Sequence, residues 1–181
     1  MKVIESEVTA IDNEIELIVI GDTHIGSMNF DEPLLLEVID YVLAKENRFV
    51  ILNGDIVDCT FKESVGNVYE NAMSPGVALS YAVLKLKPLA DAKRILCTIG
   101  GNHDHDRSMK QTDISFAQQL AVLLNIADIF SSDSVALFLK VNNAIQGNAG
   151  RSIVYKIFCS HGNNGGGGMI GSKATSLEKM S

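Results

Sequence analysis

Nowhere in the 181 residues is there an apolar run long enough to cross a bilayer. No membrane-spanning helix is therefore expected. The opening Met1-Lys2-Val3-Ile4-Glu5 brings acid early and lacks the long apolar stretch of a secretory signal. Cysteine is scarce. Cys59, Cys97 and Cys159 are odd in number and widely spaced, which speaks against a disulfide framework and for reduced core thiols in a cytoplasmic protein. Positive charge is also short: 15 Lys and Arg stand against 22 Asp and Glu, a formal net charge of −7. This argues against a broad basic surface for non-specific DNA binding. Phosphate substrates are not, because divalent cations seated among carboxylates dominate the local field. There is no internal repeat. The one low-complexity stretch is Gly165-Gly166-Gly167-Gly168.

What is present fits a soluble globular chain: 46% hydrophobic and 20% charged residues, enough for one domain with a sizeable core. Residues 3–9 and 14–20 read as strands around a turn at Asp12-Asn13. The second ends in a nearly continuous apolar run, Ile15-Glu16-Leu17-Ile18-Val19-Ile20, as a buried strand should. A helix fits residues 31–47, with Asp31 as N-cap, Pro33 in the first turn, and Leu35, Val38, Ile39, Val42 and Leu43 at helical spacing. Residues 49–52 form the next buried strand. Ser74-Pro75 opens a second helix with Leu79, Val83 and Leu86 on one face. Residues 94–99 read as a strand and 114–124 as a helix. Residues 134–141 and 152–159 read as a strand pair joined by a Gly/Asn-rich loop at 142–150. Residues 162–171 read as a loop, with Ser172 capping a further helix. Strand, helix, strand, helix, strand and then more strands predict an α/β fold.

Each strong strand runs into a polar cluster: Gly21-Asp22-Thr23-His24, then Asn53-Gly54-Asp55-Ile56-Val57-Asp58, then Gly100-Gly101-Asn102-His103-Asp104, and last Cys159-Ser160-His161-Gly162. Ligands of open α/β sheets bind outside the carboxyl ends of the strands, so these clusters are expected to converge. Carboxylate and imidazole together suit hard and borderline divalent ions. A carboxylate can bridge two ions about 3.5–4 Å apart, and a water between them becomes a hydroxide nucleophile near neutral pH. The glycines at residues 165–168 do not make a nucleotide loop, because Gly171 is followed by Ser172 before Lys173, the wrong register for a phosphate-binding P-loop.

Asp-x-His, Gly-Asp-x-x-Asp and Gly-Asn-His-Asp, in this order and each after a strand, resemble the signature of the calcineurin-like metallophosphoesterases. Here they are Asp22-Thr23-His24, Gly54-Asp55-Ile56-Val57-Asp58 and Gly101-Asn102-His103-Asp104, a likeness over about residues 15 to 165. The resemblance implies a sandwich of mixed β-sheets flanked by helices and a binuclear centre. The ions are expected to be Mn²⁺, with Fe or Zn as the other candidates. By the same resemblance Asp22 and His24 hold the first metal, Asp55 bridges, and Asn102 and His161 hold the second. His103 sits over the substrate as a catalytic group, with Asp104 orienting it. Asp58 supports the ligands and does not bind metal. His105, Asp106 and Arg107 are expected to be exposed loop residues.

The implied activity is hydrolysis of phosphoesters, monoester or diester, with nucleic acid or nucleotide among the candidate substrates. Substrate choice is expected to lie in the loops at residues 60–74 and 163–171. The family also closes on Gly-His-x-His. The four histidines here are His24, His103, His105 and His161, so the motif is missing. The expectation is a single domain over residues 1–181, truncated at its C-terminus. The rival reading is an impaired fragment or a non-catalytic scaffold that keeps the fold.

Overall fold

The structure, a computed structural model, describes residues 1–61, 71–143 and 151–162. The loops expected to set substrate choice, most of the loop at 142–150 and the helix capped by Ser172 lie wholly or largely outside these residues.

Two sheets face each other. One holds β2 (Glu16–Ile20), β3 (Arg48–Asn53), β4 (Ile95–Ile99) and the short β5 (Phe130–Ser131), all parallel and in that spatial order. The other holds β1 (Lys2–Thr9), β6 (Ser134–Asn142) and β7 (Ser152–Ser160), with β1 parallel and β7 antiparallel to the central β6. The helices α1 (Glu32–Leu43), α2 (Pro75–Asp91), α3 (Ser108–Thr112) and α4 (Phe116–Leu123) complete the mixed α/β architecture. No helix among the described residues is long and apolar enough to cross a membrane.

The four-stranded sheet is apolar on both faces, which is why its strands read as unbroken hydrophobic runs. On β3, Val50 and Leu52 join Leu35, Ile39 and Val42 of α1 and Leu86 and Leu89 of α2 in one core. Phe49 and Ile51 point the other way, into a second core with Ile4, Leu137 and Leu139 of the facing sheet. Leu52, Leu86 and Leu137 are completely buried, each contributing about 1.5–3 kcal/mol by leaving water.

Helix α1 starts as expected: the Asp31 side chain accepts from the Leu34 N–H, and Pro33 lies in its first turn. It ends at Leu43, four residues before the expected stop, and the chain then turns directly into β3. Helix α2 buries Ala78, Ala82, Leu86 and Leu89. Leu79 and Val83, expected on that face, are only partly buried, because two alanines let α2 lie closer to its neighbours. The turn at Asp12-Asn13 is present, with both residues left-handed. It joins strands of different sheets, however, and β1 pairs with β6, more than 120 residues away in the chain.

Candidate metal centre

The strand ends are laced together by backbone hydrogen bonds that continue the sheet past its regular strands. Asp22 N–H donates to Gly54 O, His24 N–H to Asp55 O, and Ile25 N–H to Ile56 O, at 3.1, 3.0 and 2.9 Å. To make this ladder while turning off the strand, Asp22, His24 and Asp55 all take positive φ, at 51°, 46° and 51°. Left-handed conformations at three non-glycine residues are costly, and such strain collects at functional sites. Glycine is required twice nearby. Gly54 has φ +80°, and a Cβ there would lie 2.7 Å from His161 Nδ1. A Cβ on Gly101 would overlap the Asp55 carboxylate.

Asp55 is the hub. It is 2% exposed, and its two oxygens do different work. Oδ1 accepts the His103 backbone N–H at 2.7 Å. Oδ2 lies 3.9 Å from His24 Nε2 and 3.3 Å from His161 Nε2. His24 Nε2 is also 3.9 Å from Asp22 Oδ1, and Asp22 stands at the open rim, its side chain 71% exposed. One oxygen of Asp55 is therefore common to an Asp22–His24 group and an Asn102–His161 group.

The donor set fits a cation. His161 Nδ1 lies 2.8 Å from the Asn53 carbonyl, which can only accept, so this nitrogen carries the proton. In the neutral ring Nε2 then presents a lone pair. It faces Asn102 Oδ1 at 3.1 Å and Asp55 Oδ2 at 3.3 Å. Three lone-pair atoms converge with no hydrogen between them, an arrangement that a divalent ion would turn from repulsive to attractive. Ligand atoms of Asp22, Asp55 and His161 lie within 4.8 Å of one another, and so do those of His24, Asp58 and His103.

His103 comes from a π-helical turn, Asn102–Arg107, in which Asp106 N–H reaches back five residues to Gly101 O at 3.2 Å. Single π turns are frequent at functional sites. The His103 ring packs edge-on against His24, centroids 4.5 Å apart, and its Nδ1 is 2.8 Å from Asp58 Oδ1. Burial works to raise the Asp58 carboxyl, but hydrogen bonds from His103 and Thr60, with His24 Nδ1 3.7 Å from Oδ1, prevail and hold it well below the usual carboxylate range.

The expectation that Asp104 orients His103 is corrected here. Asp104 is completely buried and points away from the imidazole, accepting Gly101 N–H at 2.8 Å and Ile56 N–H at 2.9 Å. It clamps the second polar loop to the third. Burial pushes its carboxyl upward against the pull of these backbone donors.

His105 is also not the exposed residue expected, since its Nδ1 pairs with Ser115 Oγ at 2.8 Å. Arg107 is half-buried and lies against the His103 ring. Cys59, close by, is buried, and burial raises its thiol far above the ordinary range, so it stays protonated. All three cysteines are free and buried.

The family model described as calcineurin-like phosphoesterase matches residues 15–177. Comparison with curated proteins and with solved structures gave no match.

Proposed function

The chain belongs to the calcineurin-like phosphoesterase family, and from that premise we propose that it hydrolyses phosphodiesters at a binuclear Mn²⁺ centre. Asp22, His24 and Asp55 would hold one ion, and Asp55, Asn102 and His161 the other. The observation that carries the reading is Asp55 Oδ2, the single oxygen standing between His24 Nε2 and His161 Nε2 at 3.9 and 3.3 Å, with its partner oxygen fixed on the His103 N–H.

Two divalent ions bound there would polarise phosphoryl oxygens and lower the pKa of a bound water. The chain's own residues do the rest. Asp55 spaces the two ligand groups, and the Asn53 carbonyl fixes the His161 tautomer. His103, held by Asp58, stands at the site with imidazole chemistry suited to protonating a leaving oxygen near neutral pH. Nucleotides and nucleic-acid ends fall within the substrate class, because the site reads the phosphate and not a base. The buried, free thiols fit a reducing, cytoplasmic setting.

The test is Mn²⁺-dependent hydrolysis of a chromogenic phosphodiester, run beside its monoester, with metal counted on the same sample. Hydrolysis of the diester with two metals per chain is the expected result. No hydrolysis with less than one metal per chain would overturn the reading in favour of a fold kept as a binding scaffold.

A further inference from the structure

A phosphoryl group entering this site meets mostly acceptors: Asp22, Asp55, Asp58 and the Asn102 carbonyl oxygen. Apart from metal, its non-bridging oxygens need donors from the protein. The third loop supplies one that the metal reading does not use. Arg107 Nη1 lies 2.9 Å from His103 Nδ1, and Nη2 lies 3.2 Å from His103 Nε2.

These contacts leave the guanidinium under-used. His103 Nδ1 is already 2.8 Å from Asp58 Oδ1. A ring nitrogen that donates to a carboxylate has no lone pair left to accept with. At most one of the two N–H groups aimed at the ring is therefore matched, at Nε2. Among the described residues no carboxylate lies within ion-pair distance of Arg107, whereas Arg48 has Glu16 at 2.9 Å. In a chain with net charge −7, a half-buried arginine at a site with three aspartates, Asp22, Asp55 and Asp58, yet in no ion pair with them, is a cation kept for another anion. The π-helical turn, which ends at Arg107, carries it back onto the His103 ring.

We propose that Arg107 binds a non-bridging oxygen of the substrate phosphoryl group beside His103. The planar fork suits two phosphate oxygens, as a lysine ammonium would not. When the anion arrives, the N–H group directed at His103 Nδ1 gains the acceptor it lacks. The proposal rests on the phosphoesterase reading above.

The experiment uses the full chain loaded with Mn²⁺ and inorganic phosphate as the probe, with its Kd read by calorimetry. Arg107→Ala should raise that Kd by about ten- to a hundredfold, the worth of a charge-assisted hydrogen bond, and leave the metal count unchanged. Arg107→Lys should recover only part of the loss. The same loss should appear when Arg107→Ala is added to His103→Ala, because a residue that merely braces His103 would add nothing in that background. Phosphate affinity within twofold of wild type in Arg107→Ala, or no added loss in the double variant, would overturn the proposal. A wild-type chain that takes up no metal would overturn the phosphoesterase reading itself, and this proposal with it. Unchanged affinity in a metal-loaded Arg107→Ala protein would sink Arg107 alone.

Discussion

His103 Nδ1 sits 2.8 Å from Asp58 Oδ1, while Asp104, the next residue in the chain, turns its carboxylate onto two backbone N–H groups. The two aspartates consequently divide support of the imidazole from support of the loops, and the variants below separate them.

Asp58→Asn should lower turnover by about 10–100-fold, the usual cost of removing the partner that orients a functional histidine. The charge that holds the ring is lost, but an amide of nearly the same shape remains. Steady-state kinetics against the diester would check this. Turnover within twofold of wild type would remove Asp58 from the machinery.

Asp104→Ala should act on stability. It strips the acceptor from Gly101 N–H and Ile56 N–H in a place water does not reach, at a cost of about 2–4 kcal/mol. For a chain of this size that is a fall in Tm of roughly 5–15 °C. Thermal unfolding followed by circular dichroism would show it, and an unchanged Tm would refute the clamp.

Asp55→Asn and His103→Ala should differ in metal content. Weakening the one oxygen common to both ligand groups should release both ions together, whereas His103→Ala should keep them and lose turnover. Elemental analysis of the two purified variants decides, and equal metal loss in both would contradict the assignment.

pH should matter through His24. Its imidazole is held above the ordinary histidine range, chiefly by the Asp58 carboxylate, whose Oδ1 lies 3.7 Å from Nδ1, working against burial, with the charges of Asp55 and Asp22 adding to the effect. A raised folded value means that His24 stabilises the metal-free fold fully below the unfolded value of about 6.5 and ceases to as pH rises through the folded value. The Tm of chelator-treated protein should thus fall as pH is raised from about 6 toward 8.5, with a shallower slope in Asp58→Asn. Metal uptake should run the opposite way, stronger at the higher pH, because ion and proton compete for the same nitrogen. A flat Tm profile in chelator would exclude this coupling.

Much of this was legible in the chain. The unbroken apolar runs of β3 and β4 announced strands buried on both faces, and Asp31 announced the start of α1. Asp22, His24, Asp55, Asn102 and His161 could be named as candidates from the resemblance of their motifs, each placed just after a strand. Other features were not legible. The resemblance points to Asp104 as the partner of His103, whereas Asp58 fills that place. The π-helical turn sends residue 104 inward and residue 103 outward, and no propensity rule marks a π turn. Asp58 stands in the Gly-Asp-x-x-Asp motif, and Thr60, two positions on, steadies it with a hydroxyl that donates to Oδ2 at 2.9 Å.

By itself, then, the sequence determined the element order, the two-faced burial of the central strands, and the set of oxygen and nitrogen donors at the strand ends. These depend on residue type, hydrophobic period and turn chemistry, all local quantities. Tertiary structure alone decided that β1 crosses to the sheet of β6, that one oxygen of Asp55 stands between His24 and His161, that Asp58 holds His103, and that Arg107 folds back onto its ring. Each of those follows from how separate loops stack against one another, a matter of distances across space that no spacing along the chain encodes.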